Sequence, residues 1–180
     1  QMTNPECKLY VGIPAYLAEQ TIGNVLQRTF QTGFIEKVIV VDDCSPDRLS
    51  EVVRQFKNTL LITHKKNTGY GGAQKTIYDA FLGISEHPED AIILLHADGQ
   101  TFPEELPLFR ETFRNPDIDI VLGSRALGDM RKGNMPRYRI LGDRILTRLQ
   151  NTAFGLHLST YASGYRGFRK RALAAIAYHD

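Results

Sequence analysis

The chain has 180 residues, 42% of them hydrophobic, which is length enough for one globular domain with a buried core. Its 22 lysines and arginines nearly cancel 20 aspartates and glutamates, so net charge gives no case for nucleic-acid binding. No apolar run approaches the ~20 residues needed to span a bilayer, and the first residues carry no signal-peptide pattern.

In chain order, Lys8 to Ile13 reads as a first strand, closed by Pro14. Glu19 to Phe30 carries helical spacing at Ile22, Val25, Leu26 and Phe30 and ends near Gly33. Lys37 to Val41 is a second, β-branched strand, followed by Asp42-Asp43-Cys44-Ser45-Pro46-Asp47. Ser45 is expected to cap, and Pro46 to open, a helix running to about Phe56. Leu60 to Thr63 is a short third strand, and a polar loop, Asn67-Thr-Gly-Tyr-Gly-Gly72, leads into a helix through about Ile84. Ala91 to Leu95 has the fully apolar pattern of a buried parallel strand. A helix over Pro103 to Phe113 and a fifth strand over Ile118 to Leu122 follow. Residues 126–135 are expected to form a mobile loop, Tyr138 to Leu156 a long amphipathic helix, and Lys170 the start of a last helix. Strands alternating with helices imply an α/β domain with a mostly parallel, doubly wound sheet.

The polar atoms that chemistry needs cluster after three strands. Asp98 follows the fourth strand, and extended-chain alternation would put His96 and Gln100 on its side. Open α/β sheets bind ligands at such carboxyl ends, and a divalent cation on Asp98 would hold a diphosphate. An Asp98-Gly99 turn without chemistry accounts for the same residues equally well. After the second strand, a carboxylate of Asp42 or Asp43 suits a base imide N–H or a ribose hydroxyl, although Asp43 could instead cap the helix near Pro46. Pro14 and Val41 add backbone acceptors and Tyr16 a flat side chain. Asn67 and the glycines at 69, 71 and 72 allow close backbone approach before a helix whose N–H groups favour anions. This loop is neither a Walker A motif nor GxGxxG. No Gly-rich turn follows the first strand, which argues against an NAD-dependent oxidoreductase and against a sugar-nucleotide pyrophosphorylase.

Charge is uneven along the chain. Arg125, Arg131, Lys132, Arg137, Arg139, Arg144 and Arg148 stand against Asp129 and Asp143, forming either a local basic site or a solvated helix face. Leu141, Ile145 and Leu149 make an apolar stripe that packing on the sheet explains most simply; docking on an anionic membrane is the sharper alternative. Cys7 and Cys44 match no metal spacing or disulfide framework, so a reducing cytosol is the expected compartment. The chain opens on Gln1 and stops soon after a helix-like stretch, and it is expected to be a fragment lacking C-terminal parts.

Six segments in order carry a resemblance. They are Val11-Gly-Ile-Pro-Ala-Tyr16, Val40-Val-Asp-Asp-Cys-Ser-Pro-Asp47, Asn67-Thr-Gly-Tyr-Gly-Gly-Ala73, His96-Ala-Asp-Gly-Gln100, Gly123-Ser-Arg125 and Ser163-Gly-Tyr-Arg166. Together they resemble the family 2 glycosyltransferases of the GT-A fold, and most of all the dolichol-phosphate mannosyltransferase-like branch, which moves a sugar from a GDP- or UDP-sugar to a polyprenyl phosphate. The resemblance implies a three-layer α/β/α fold with a Rossmann-like central sheet, in a single catalytic domain over residues 1–180. It implies that Pro14, Ala15, Tyr16, Val41 and Asp43 hold the nucleoside, with Asn67 and Gly71 beside them. It implies that Ala97 and Asp98 meet the diphosphate, with Asp98 and Gln100, and His96 as a further candidate, on Mg²⁺ or Mn²⁺, and that Arg125 and Arg139 face the acceptor phosphate. Three departures stand out. His96 replaces the first Asp of an Asp-x-Asp motif; Leu17-Ala18 replaces Asn-Glu, so that either Glu19, one position on, takes over that nucleotide-sugar contact or the contact is lost; and Thr160 stands where relatives carry an acid.

An inverting transfer to a sugar hydroxyl needs a general base, and Asp143 is the one ambiguous candidate. A phosphate monoester, with a second pKa of about 6, is largely dianionic at neutral pH and needs arginines rather than a base. The expected activity is therefore inverting transfer from a nucleotide-diphosphate sugar to a polyprenyl phosphate, at the inner face of the membrane. Two alternatives stay open: a catalytically impaired nucleotide-sugar-binding domain, and transfer to a saccharide hydroxyl in cell-envelope polysaccharide synthesis.

Overall fold

A computed structural model describes residues 7–123, 137–155, 164–176 and 178–179; the side chains of residues 137–141, 143 and 144 fall outside that description. The chain divides into two compact units, Gln1–Val121 with Arg166–Asp180, and Leu122–Tyr165. The elements run β1 (Leu9–Ala15), α1 (Glu19–Gln31), β2 (Ile35–Asp42), α2 (Leu49–Val53), β3 (Thr59–Thr63), α3 (Gly69–Ile84) and β4 (Ala91–Leu94). A 3-10 turn (Pro103–Glu105), α4 (Leu106–Thr112), β5 (Ile120–Leu122), α5 (Arg137–Phe154), β6 (Arg166–Arg169) and α6 (Lys170–Ala175) follow.

The α/β class and the mostly parallel sheet are as expected. Six strands lie in the order β3-β2-β1-β4-β6-β5, with β1 parallel to both β2 and β4 and β2 parallel to β3. The strand β6, absent from the expected set, runs antiparallel to β4 with Leu94 opposite Arg166 and Ala91 opposite Arg169. Every residue of β1 and β4 is buried, as their unbroken apolar runs require. Alternation along the strands sends Tyr10, Ile39, Val41, Ile92 and Leu94 into one cluster with Ala73, Ile77, Tyr78 and Phe81 of α3 and Leu173 of α6. Close approach of α3 depends on Gly12, because a Cβ there would sit 2.4 Å from Ile77 Cγ2. Helix α1 buries Ile22, Val25, Leu26 and Thr29, the i, i+3, i+4, i+7 face, against neighbours that include α2.

Arg169 fastens the end of β6 to the segments that lead into β4 and β5. It is a fully buried cation whose guanidinium donates to the carbonyls of Ile118, Glu89 and Phe113 at 2.7, 2.7 and 2.6 Å, and Glu89 Oε2 lies 3.1 Å from Nη1. Buried charges persist when paired and hydrogen-bonded in this way.

Two local expectations fail. The helix expected from Pro46 to Phe56 forms only over Leu49–Val53: Ser45 and Asp47 accept the backbone N–H groups of Leu17 and Glu19, and Asp47 Oδ1 also accepts the Leu49 N–H at 3.3 Å where the helix opens. The glycines at 69, 71 and 72, read as a loop before the helix, form its first turn. In the second unit, Ile145, Leu146, Leu149 and Phe154 are exposed; Leu141 lies outside the described side chains.

Candidate active site

The carboxyl ends of β1, β2, β3 and β4 place the polar groups that the sequence singled out. At β1, Pro14 and Ala15 are buried and pair with Val41 and Asp42, while Tyr16 beyond them is about half exposed and offers its ring. The Ala15 carbonyl accepts the Asp43 N–H at 3.0 Å, which locks the two strand ends together. Leu17 and Cys44 both adopt left-handed backbone (φ 52° and 59°), and the Leu17 N–H donates to Ser45 Oγ at 2.8 Å.

The acids after β2 are held by the protein itself. Asp42 is buried and accepts from the Ser45 N–H at 2.8 Å and the Ser50 hydroxyl at 2.5 Å. Asp43 is 3% exposed. Its Oδ1 accepts from the Thr68 N–H (2.8 Å), the Thr68 hydroxyl (2.9 Å) and His64 Nδ1 (2.7 Å), and its Oδ2 accepts from the Gly69 N–H (2.7 Å). Asp43 therefore caps α3, not the helix near Pro46 that its position in the sequence suggested. The favourable anion position at the N-terminus of α3 is taken by this carboxylate. Burial pushes the Asp43 carboxyl up, but the Thr68 N–H, the His64 ring, the Thr68 hydroxyl and the Gly69 N–H more than offset it and hold it below the usual carboxylate range. Asp47 accepts the Glu19 N–H at 2.9 Å and the Ser45 hydroxyl at 2.6 Å, and its carboxyl is likewise lowered by such bonds against the opposing effect of burial. Glu19 returns the contact by accepting from the backbone N–H of Arg48 at 3.0 Å and its guanidinium at 2.9 Å.

The glycine loop is built from short-range bonds. Asn67 Oδ1 accepts the Gly69 N–H at 3.0 Å, and Gly69 needs its left-handed φ of 76°. Gly71 is exposed with open space where a Cβ would stand.

After β4 the pattern reverses. The strand ends at Leu94, so residues 96–100 are not extended and alternation does not set the directions of His96, Asp98 and Gln100. Asp98 and Gly99 form the turn that was the competing reading: Gly99 has φ 75° and the Gln100 N–H donates to Asp98 Oδ1 at 2.9 Å. The turn nevertheless leaves Asp98 and Gln100 exposed. Ala97 is buried and its carbonyl accepts the Thr21 hydroxyl at 2.7 Å, tying the turn to α1. The His96 N–H donates to Thr101 Oγ1 at 3.0 Å, and its ring stacks on Tyr70 with centroids 5.7 Å apart.

Among the described residues no three His, Cys, Asp or Glu side chains gather to hold a metal. The exposed Asp98 carboxylate and the Gln100 amide still fit Mg²⁺ or Mn²⁺, since such ions are commonly held by one or two carboxylates with substrate phosphates and water. Arg125, Thr160 and Ser163 lie outside the described residues, as do Arg131 and Lys132; Arg139 and Asp143 lie in α5 with side chains outside the description. Sequence reasoning missed His64, Thr68, Thr76 and Thr21. No local signal marks them, because their partners are brought by strand order and by helix packing.

A family model described as glycosyl transferase family 2 matches residues 10–177. A UDP-N-acetylglucosamine–dolichyl-phosphate N-acetylglucosaminyltransferase of Methanococcus voltae is 27% identical over 94% of this chain and 72% of its own length. An undecaprenyl-phosphate mannosyltransferase of Micrococcus luteus is 28% identical over 91% of the chain and 67% of its own length. A dolichol-phosphate mannosyltransferase of Pyrococcus furiosus is 29% identical over 74% of the chain and 38% of its own length. Among solved structures, glucosyl-3-phosphoglycerate synthase from Mycobacterium tuberculosis with UDP superposes with a TM-score of 0.68 at 17% identity, covering 94% of this chain and 59% of that one. The chain thus spans well under two thirds of that structure. The fold is GT-A, and the chain belongs to glycosyl transferase family 2.

Proposed function

We propose that the chain is the catalytic domain of an inverting glycosyltransferase that moves a sugar from a nucleotide-diphosphate sugar to a polyprenyl phosphate. The observation that carries this reading is the exposed Asp98 turn after the central strand β4, set beside strand-end loops whose own acids are already bonded. Relatives named for polyprenyl-phosphate acceptors support the acceptor class, and a Mn²⁺ complex of the mycobacterial synthase supports a divalent cation.

In this reading Tyr16 and the backbone of Pro14, Ala15 and Val41 border the nucleoside, with Asn67 and Gly71 on the opposite loop. Asp98 and Gln100 hold the cation, Mg²⁺ or Mn²⁺, whose charge would stabilise the departing diphosphate. A phosphate oxygen of the acceptor forms the bond to the anomeric carbon as the bond to the diphosphate breaks, and the electron pair leaves with the diphosphate. Such an acceptor is largely dianionic at neutral pH, with a second pKa of about 6, so no general base is required of the protein. Arg125 and Arg139 are assigned to the acceptor phosphate, for which bidentate guanidinium contacts are suited. The exposed Ile145 and Leu149 beside Arg148 on α5 suit peripheral contact with an anionic cytoplasmic membrane surface. Among the described residues no helix is long and apolar enough to cross a membrane.

One observation favours a second reading, nucleotide-sugar binding without turnover: His96 stands at the first acidic position of the motif, with its ring stacked on Tyr70. Titration of UDP and GDP with Mn²⁺, followed by a transfer assay from UDP- and GDP-sugars to polyprenyl phosphate, separates the two. Binding with transfer supports the enzyme. Binding without transfer favours the second reading, and no binding at all contradicts both.

A further inference from the structure

Arg166 and Arg169 stand at the two ends of β6, and the fold treats them oppositely. On one face of the strand, Arg169 is satisfied by backbone carbonyls and by Glu89. Arg166 takes the other face, which it shares by alternation with Phe168. Phe168 packs against the α3 cluster and meets Tyr78 edge-on, with ring centroids 5.8 Å apart. Arg166 is only partly buried, yet its Nε is enclosed and has no hydrogen-bond partner. Among the described residues no carboxylate pairs with its guanidinium.

Antiparallel pairing sets Arg166 opposite Leu94, the last residue of β4. The unpaired cation thus stands where that strand opens toward His96, Ala97 and Asp98. Its neighbours from α3 are neutral. Burial pushes the Tyr70 phenol up, and the charge of Arg166 acts against that rise. At Tyr78 burial again raises the phenol, opposed by the bond from Gln74 and then by Arg166. Tyr70 is exposed and stacks on His96, so the surroundings of Arg166 reach solvent at the β4 end. A partly enclosed cation without a counter-charge costs stability, and an anionic ligand removes that cost. The planar fork of a guanidinium matches phosphate oxygens in particular.

We propose that Arg166 is a further binding residue for the donor, its guanidinium meeting a phosphate oxygen of the nucleoside diphosphate at the end of β4. The inference rests on the nucleotide-sugar reading above. The donor's diphosphate and the acceptor's monoester offer the same kind of oxygen. The register with Leu94 puts Arg166 beside the strand that leads to Asp98, and so with the donor.

The test is calorimetric titration of UDP, GDP and farnesyl phosphate, with Mn²⁺ present, into wild type and Arg166→Met. Methionine keeps much of the stem and removes the charge. The variant is expected to melt at or above wild type, because an unpaired cation contributes no stability for methionine to lose. Affinity for the nucleoside diphosphate that wild type binds is expected to fall about tenfold, the worth of one charge-assisted contact. Affinity for farnesyl phosphate is expected to stay unchanged. Undiminished nucleotide affinity overturns the proposal, and if farnesyl phosphate binding alone weakens, Arg166 serves the acceptor instead. Weakening of both ligands together with a lowered melting transition also overturns it, since Arg166 is then structural. Should Arg166→Met fail to fold, Arg166→Gln carries the same comparison. Failure of wild type to bind either nucleotide overturns the nucleotide reading itself, a result distinct from equal affinities in wild type and variant.

Discussion

The acids that close β2 and the acid that follows β4 stand at the same end of parallel strands, yet they are in opposite conditions. Asp42 and Asp43 are buried and bonded to the backbone and side chains of Ser45, Ser50, Thr68, Gly69 and His64. Asp98 is exposed and bonds the N–H of its own turn. The difference lies in the neighbours: β2 is followed by polar loops that fold back on its acids, whereas β4 opens into a turn with a left-handed glycine. A carboxylate at a strand end is therefore a functional candidate only to the extent that the fold leaves its oxygens available.

The contrast can be broken by substitution, and the largest effect is expected at Asp43. Asp43→Ala leaves the N–H groups of Thr68 and Gly69 and the His64 ring without the buried carboxylate that accepts from them. A loss of about 3 kcal/mol in urea unfolding is expected, since each buried donor left unsatisfied costs roughly 1–3 kcal/mol. Loss below about 1 kcal/mol would mean that water replaces the carboxylate.

Gly72→Ala is expected to come next. Its Cβ would lie 2.3 Å from Thr68 Oγ1 and 2.5 Å from Thr68 Cβ, so Thr68 must move away from Asp43. A cost of about 1–2 kcal/mol by thermal or urea unfolding fits overpacking that a side chain partly relieves.

Acid should expose the same region with a smaller, graded effect. The Asp43 and Asp47 carboxyls are held below their ordinary range, so they contribute stability that is present at neutral pH. That contribution is lost as pH falls below the normal carboxylate range and through the lowered folded-state values. The unfolding free energy of Asp43→Asn, followed from about pH 6 to about pH 3, should decline less steeply than that of the wild type. Equal slopes would show that Asp43 does not contribute to the acid response.

The sheet was largely legible in sequence because β1, β4 and the Val38–Val41 stretch of β2 are runs buried on both faces, a pattern set by local composition. The strand β6 was not, because Arg166-Gly-Phe-Arg169 has no strand signature of its own; β4, more than seventy residues upstream, supplies its partner. Pro46 suggested a helix start, yet Ser45 and Asp47 accept the backbone N–H groups of Leu17 and Glu19, contacts 28 residues away in sequence that local rules do not encode. At the site, the Asp98-Gly99 turn was visible as one of two readings, and both its turn and its exposure are present. The roles of His64, Thr68 and Thr76 were invisible, because nothing marks a histidine or threonine as the partner of an acid 21 to 25 residues earlier or of a helix residue 12 later. The same hidden contacts show that Asp43 orders the loop that opens α3.

The smallest effect on stability and the largest on binding should coincide at Asp98. The direct measurement is calorimetric titration of UDP and GDP with Mn²⁺ into wild type and Asp98→Ala, with melting curves of both. The account expects an unfolding free energy within about 0.5 kcal/mol of wild type, as for most exposed positions, and nucleotide affinity reduced at least about tenfold, as loss of a cation-holding carboxylate implies. Full nucleotide affinity in Asp98→Ala would contradict it.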